Sequence, residues 1–575
     1  MALVGSKWVQ FNLKSIIRSF SSQKSFVKPV EPSRRWRYIG VGFGAASIAG
    51  GALYFSLTEK ERRVIRVTLG GVNRFFRSSY IAGRIILKYS WATYGLQEDD
   101  PKYVEALEGA HKQSAELILN GCLRNGGLYI KLGQGLVIMD HILPKEYIDT
   151  LRVLQDKCLV RKPDEVHQLF LEDFGKPVNE VFDKFEENPV AAASLAQVFR
   201  GKTKTGEEVA IKAQYIDLRD RFVGDIATLT ILLNFAGWLH PDFDFAWVLN
   251  ELKGTLEKEL NFLNEGHNGE RCAKDLKDFP FVYVPKIYWD LTTPRILTTE
   301  WIDGIKISDK EKLLSEKFSL ADIDYKLFKT FAEQIFHTGF VHADPHPGNI
   351  LIRRGPDKKA QLVLLDHGLY ETVPDNVRES LRQLWKSIVL NDHDSMKKYS
   401  VELGIDAKDY RLFCIALGQR YIKNPNPSEK DEETVRIFLA RRTVKKKRNK
   451  LTKEEKAKIE SELLVLQRRF MNVFKSMPSK MMLVTRNINT IRSIAHGHGD
   501  PINRYKTMAR CATQGTFVHS YDSSSKVMSL FRKYKERIHF EVQLWWGGMK
   551  IFLFSYFMRL AEFVSGTNIH GLPHY

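Results

Sequence analysis

The stretch from His342 to Gly368 constrains this chain more than any other. It reads His342-Ala343-Asp344-Pro345-His346-Pro347-Gly348-Asn349, then the apolar run Ile350-Leu351-Ile352, and later Leu362-Val363-Leu364-Leu365-Asp366-His367-Gly368. Two short strand-like runs therefore carry polar residues at their ends, an Asp-x4-Asn entering the first and an Asp-x-Gly leaving the second. Magnesium takes hard oxygen ligands and is held by one or two carboxylates together with phosphates, so Asn349 and Asp366 form a candidate metal pair. Asp344 is placed to orient or deprotonate an attacking hydroxyl or water. Gly368 is expected to let the chain turn beside the metal. The two prolines favour a rigid loop over a helix, which removes a zinc reading of His342 and His346 at i, i+4.

A site that gathers phosphates needs a cation. Residues 198–201 lead into the turn Lys204-Thr205-Gly206-Glu207 and then Val209-Ala210-Ile211-Lys212, a β-hairpin delivering a lysine. A helical pattern over residues 247–276, with Leu252, Leu256, Leu260 and Leu263 on one side, also carries Glu257, Glu259 and Glu265. A lysine poised in a cleft requires such a carboxylate to fix it. Residues 284–289 and 296–304 read as two strands, the second ending in an acidic turn as a hinge between two lobes would. Backbone groups near Glu300 and Ile302 are candidates to pair with an adenine edge.

At 575 residues the chain exceeds the length at which one core stops growing. Its net charge of +19 leaves nucleic acid, anionic lipid and nucleotide open as partners until the charge is located. Seven of the ten residues 441–450 are Lys or Arg, without the interleaved aromatics of a nucleic-acid platform. Nucleic acid is therefore not expected as a partner. The five cysteines form no C-x-x-C pair, so reduced thiols are expected. Residues 1–37 begin with Lys7, Lys14, Arg18, Lys24 and Lys28 and no acid before Glu31, the composition of a mitochondrial transit peptide. Residues 38–57 carry no charge and are long enough for one membrane span. Residues 544–564 read as an amphipathic helix, because Lys550, Arg559 and Glu562 interrupt them.

At these motifs the chain resembles the UbiB, or aarF-domain, family of atypical kinase-like proteins, over roughly residues 100–500. Three further features carry the resemblance: the K-x-G-Q run Lys131-Leu132-Gly133-Gln134; the run Ala191-Ala192-Ala193-Ser194 where protein kinases have a glycine-rich loop; and Glu259 with Glu265, six positions apart. The resemblance implies an α+β, atypical protein-kinase-like bilobal fold at residues 183–420. It is preceded by a helical extension at 58–182 and one N-terminal transmembrane helix, and followed by a helical region at 421–575. It implies ATP and Mg²⁺ as cofactors, with Val190, Ala191, Ala192, Ala193, Ser194 and Val198 around the phosphates. It further implies Lys212 paired with Glu265, and Glu259 of an E-x-D motif facing Lys131, two partners separated by about 9 Å of continuous helix. Asn261 replaces the Asp of that motif. The function implied is an ATPase or a small-molecule or lipid phosphotransferase at the mitochondrial inner membrane, linked to quinone or lipid intermediates. A silent nucleotide-switched scaffold and a protein Ser/Thr kinase are the alternatives.

Overall fold

The structure, a computed structural model, describes residues 54–96, 101–138, 143–155, 163–192, 195–239, 246–418 and 477–515, with isolated positions at 422, 469, 473 and between 534 and 549. The transit-peptide reading, the proposed span apart from residues 54–57, Ala193, Ser194, the basic run at 441–450 and nearly all of 544–564 lie outside the described residues. The chain divides into a unit of residues 1–67 and a unit of residues 68–575.

The helix α1 (Glu59–Ala92), whose first residues belong to the first unit and the rest to the second, begins at a capping box. The Thr58 hydroxyl accepts from the Glu61 N–H at 3.3 Å while the Glu61 carboxylate accepts from the Thr58 N–H at 2.8 Å. In the second unit α2 (Pro101–Asn125) and α3 (Leu128–Ile138) meet at Gly126 and Gly127, whose φ angles of 67° and 48° are open to glycine at little cost. Their shared core holds Ala115, Cys122, Ile130, Val137, Leu151 and Leu154.

A five-stranded sheet follows, with β1 (Lys184–Phe185), β3 (Ala196–Lys202), β4 (Glu208–Gln214) and β6 (Ile296–Glu300) in that order and β2 (Ala191–Ala192) on the free part of β3. The hairpin read from the sequence is there: β3 and β4 pair antiparallel with Val198 opposite Lys212, and Gly206 turns at φ 93°. Along β4 the side chains of Val209, Ile211 and Ala213 enter a core with Phe170, Phe182 and Phe199. Strand alternation therefore turns Lys212 to the other face.

The pattern over 247–276 is not one helix. It is split into α4 (Ala246–Glu259) and α5 (Phe262–Asp275). Asn261 takes an extended conformation at the break and its side-chain oxygen accepts from the Leu263 N–H at 3.2 Å, an N-cap. Leucine periodicity runs through the break because both helices bury leucines, so periodicity alone conceals it. Residues 284–289 are likewise not a strand: β5 (Val282–Tyr283) precedes them, and only Ile287 bridges to Thr299.

The larger part of the unit carries a four-stranded sheet in the order β5, β10 (Ala360–Leu364), β9 (Ile350–Arg354), β7 (Ile305–Lys306), and a pair of β8 (Phe340–His342) with β11 (Tyr370–Thr372). Around them pack α6 (Leu320–Glu333), α7 (Asp375–Leu390), α8 (Ser479–His498) and α9 (Arg504–Gly515). One core joins Phe328, Phe331 and Trp385 to Val484, Ile491 and Ala512, so helices from beyond residue 470 are built into the same body. Cys122, Cys272, Cys414 and Cys511 are buried free thiols. Among the described residues one helix, Leu218–Leu239, is long and apolar enough to cross a membrane, with a mean hydropathy of 1.5. It carries Asp225, which is buried and paired with Arg74 at 2.7 Å.

Candidate functional site

Several elements converge on one cleft of roughly 500 Å³, counted with the part open to solvent. From β4, Lys212 Nζ donates to both Glu265 carboxylate oxygens at 2.7 and 2.9 Å and lies 3.5 Å from Asp366 Oδ2. From α3, Lys131 Nζ pairs with Glu259 at 2.7 Å. Glu259 and Glu265 thus hold separate lysines from two helices rather than from one. Asp344 and Asn349 come from the loop between β8 and β9, and Asp366 follows β10.

The K-x-G-Q run has a geometric reason. Lys131 reaches the cleft from one side of α3. On the other side a Cβ added to Gly133 would stand 2.4 Å from Leu154 Cδ1 and 3.2 Å from Cys122 Sγ, so a larger residue requires Leu154 to shift. Gln134 does not reach the cleft; its side-chain N–H donates to the Leu154 carbonyl at 2.8 Å and locks α3 to the following turn.

The geometry of the loop from Asp344 to Asn349 is equally local. The Gly348 N–H donates to His346 Nδ1 at 3.1 Å and the Leu365 N–H to the Asn349 carbonyl at 2.9 Å, which fixes Asn349 beside the end of β10. The Gly368 N–H donates to Asp366 Oδ1 at 2.9 Å. The chain bends at Gly368 without a positive φ. Its need is space, since a Cβ there would lie 3.1 Å from Asp366 Oδ1 and 3.8 Å from Glu265. His367 is a core residue: Nε2 donates to the Leu364 carbonyl at 3.1 Å, and the Tyr370 hydroxyl donates to Nδ1 at 2.9 Å. Burial lowers its pKa to about 4, so it is neutral at pH 7.

Electrostatics divide the carboxylates. Burial works to raise Asp366, but Lys212 and the Gly368 N–H outweigh it and hold it well below the usual carboxylate range. Burial pushes Glu265 up to about 7 against the pull of Lys212. Burial opposes the charge on Lys212, yet Asp366 and Glu265 raise its pKa. Asp344 stays below its ordinary value because Arg486 and Lys131 overcome burial. Arg486, on α8, approaches Asp344 Oδ2 at 2.9 Å.

Asn349 Nδ2 lies 3.4 Å from Asp366 Oδ2. Amide O and N are interchangeable by rotation, so the same position offers two hard oxygens. Among the described residues no group of three or more His, Cys, Asp or Glu is arranged for a metal. One amide and one carboxylate leave most of an octahedral shell to water and phosphate, the arrangement Mg²⁺ favours. The residues therefore fit Mg²⁺ and do not fit a closed zinc site.

Other sequence candidates fall elsewhere. Ala191 and Ala192 form β2, paired flat on Val198 and Gln197, and the exposed Val190 donates its N–H to the Val198 carbonyl at 2.8 Å. The cleft wall at this level is Leu195 and Ala196. The Glu300 N–H is bonded to the Lys286 carbonyl and the Trp301 N–H to Glu208, and neither Glu300 nor Ile302 lines the cleft. The Glu300 carboxylate accepts from the Tyr283 hydroxyl at 2.6 Å.

Comparison with known proteins matches residues 153–400 to the ABC1 atypical kinase-like domain. The AarF domain-containing kinase 1 of Drosophila melanogaster is 31% identical over 86% of this chain and 93% of its own length. The chain belongs to the AarF (ABC1) atypical kinase family. The mouse AarF domain-containing protein kinase 1 is 32% identical over 84% of this chain and 90% of its own. A Dictyostelium discoideum relative, "Probable serine/threonine-protein kinase abkD", is 38% identical over 82% of this chain, which spans only 65% of that relative's length. Among solved structures, a Mycobacterium tuberculosis protein in complex with erythromycin overlaps 69% of this chain and 98% of its own at 20% identity, with a TM-score of 0.37, too low to carry an argument.

Within an AarF kinase-like chain, α8 falls in the helical region expected at 421–575, but its residues were given no place at the site. Arg486, Asn487 and His498 sit among apolar residues at helical spacing, where an ordinary amphipathic helix is the simplest reading. Only the fold shows that Arg486 and Asn487 reach Asp344 and the His342 carbonyl, while His498 anchors the far end of the helix.

Proposed function

We propose that this protein binds Mg-ATP in the cleft and acts as an ATPase or a small-molecule or lipid phosphotransferase. One observation carries the reading: Lys212 is held by both oxygens of Glu265 within 3.5 Å of Asp366, with Asp344 and Asn349 on the same cleft. In this reading Lys212 binds phosphate oxygens and Glu265 fixes its direction. Asn349 and Asp366 hold the metal, which supplies neutralisation of phosphate charge. Asp344 orients the attacking hydroxyl or water. Three cations, Lys131, Lys212 and Arg486, face the carboxylates Glu259, Glu265, Asp344 and Asp366 here, so the site would draw a divalent cation, which with Lys212 would meet the charge of the phosphates.

A protein Ser/Thr kinase activity, suggested by the name of the Dictyostelium relative, fits less well. α3 brings Lys131 to Glu259 at the cleft, where a polypeptide would have to enter. The silent nucleotide-switched scaffold is favoured by the flat Ala191–Ala192 strand in place of a glycine arch.

The membrane setting draws support from α1. Leu69, Val72, Phe76, Tyr80, Leu87 and Trp91 are exposed and share about 100° of helical arc. Residues 68–92 contain four basic residues and no acid. An apolar stripe on a basic helix suits an anionic bilayer surface, and it follows directly on the uncharged run at 38–57. We place the protein at the mitochondrial inner membrane, with quinone or lipid intermediates as its substrate class.

Thermal-shift titration of the full chain with Mg-ATP, with and without chelator, tests the binding. A metal-dependent rise in Tm that Asp366→Asn abolishes is expected; no shift in the wild type overturns the reading. Asp344→Asn that binds nucleotide and still rescues cells, where Lys212→Ala does not, selects the scaffold.

A further inference from the structure

The family domain ends at residue 400, but the cleft's supporting contacts continue beyond it. On α8, Arg486 Nη2 lies 2.9 Å from Asp344 Oδ2, and the next residue, the fully buried Asn487, donates to the His342 carbonyl at 2.5 Å. Two successive side chains thus grip the loop that carries Asp344. The far end of α8 is anchored too: His498 bonds Asp324 at 2.6 Å and the Ile307 carbonyl at 2.8 Å. Between these anchors Ile488, Ile491, Ile494 and Ala495 are buried in the main core. The helix is pinned along its length, so the guanidinium has little freedom of its own.

We propose that Arg486 is a positioning residue for Asp344, holding carboxylate oxygen Oδ2 so that Oδ1 is presented to the nucleophile's hydroxyl or water. This rests on the phosphoryl-transfer reading above. A carboxylate on a loop rotates easily about its last torsion, and a charge-assisted bond from a rigid helix fixes it at modest cost. Asp344 is also faced by Lys131, His342 and His346. Of these groups, Arg486 is the one in direct ion-pair contact with it. Stability alone does not explain the arginine. Its Nε is buried without a hydrogen-bond partner, a penalty that an apolar side chain of similar size would avoid. Arg486 does not line the cleft, so its loss is expected to act on turnover and not on nucleotide affinity.

The test uses the full chain as Arg486→Gln, Arg486→Lys, Asp344→Asn and the Arg486→Gln/Asp344→Asn double variant. ATP turnover is measured together with hydrogen exchange over residues 342–349. Arg486→Gln should lower kcat by about 10- to 100-fold while KM for Mg-ATP stays within about twofold. Arg486→Lys should recover part of the loss, and the double variant should be no slower than Asp344→Asn alone. Multiplying losses in the double variant, or an unchanged kcat in Arg486→Gln, overturns the proposal. So does an equal loss in both Arg486 variants that tracks a fall in Tm. If the wild type turns over no ATP, the functional reading fails on its own and exchange decides the positioning role. Faster exchange confined to 342–349 in Arg486→Gln sustains it, and unchanged exchange overturns it.

Discussion

Asn261 shows how a departure from a family pattern acquires a physical meaning. Where the E-x-D motif has an acid, this chain has an asparagine, which read from the sequence as a missing charge. In the structure the position caps α5 through its side-chain oxygen, and Asn and Asp serve that role about equally well. Asn261→Asp should therefore leave Tm nearly unchanged, whereas Asn261→Ala should cost about 1 kcal/mol, read by chemical denaturation. Gly133 offers a sharper contrast. Its missing Cβ makes room for the buried side chains of Leu154 and Cys122. Gly133→Ala should destabilise by about 1–3 kcal/mol. Because Lys131 lies on the same short helix, it should also weaken Mg-ATP binding in the thermal-shift assay.

Individual elements were legible in proportion to how local their determinants are. The β3–β4 hairpin was readable because its turn residues and alternating strand are contiguous, and the same holds for the loop from Asp344 to Asn349 that places two polar groups before β9. Lys212, Glu265, Asp344, Asn349 and Asp366 do come together around one cleft. The break at Leu260–Asn261 was not readable from periodicity, since leucines continue across it; the Asn261 cap and the Phe262 N–H bond to the Pro294 carbonyl show where the chain bends. Nor was the contact of Glu300 with residues far from it in sequence, its carboxylate with Tyr283 and its N–H with the Lys286 carbonyl. α8 belongs to the same class. Its buried His498 has acceptors at both ring nitrogens, Asp324 and the Ile307 carbonyl; burial opposes the charge, but these bonds outweigh it and raise the pKa. A raised folded pKa contributes stability that is complete below the unfolded value of about 6.5 and is lost as pH rises through the folded value. Wild-type stability should accordingly fall with rising pH above about 6.5 by an increment that His498→Gln removes. Denaturation series at several pH values measure it, and parallel curves for the two proteins would refute the assignment.

For the molecule as a whole, the second unit folds as a body whose core is closed from its carboxyl-terminal side. Val484, Ile491 and Ala512 are buried with Phe331 and Trp385, so a chain ended at residue 420 leaves a large apolar surface uncovered. Such a truncation should give no cooperative thermal transition, although it retains Lys212, Asp344, Asn349 and Asp366; a sharp melt with Mg-ATP binding would refute this. The apolar stripe of α1 makes a separate prediction at this scale. Phe76→Glu with Leu87→Glu should cut co-sedimentation with anionic vesicles several-fold while leaving Tm near that of the wild type, since both side chains are exposed.

The grip of α8 on the catalytic loop also bears on how inherited changes in this protein are judged. A substitution at Arg486 or Asn487 lies outside any recognisable domain boundary and would ordinarily be filed as peripheral. Physically it touches the same few atoms as a substitution at Asp344 or His342, and it belongs in the same class of severity.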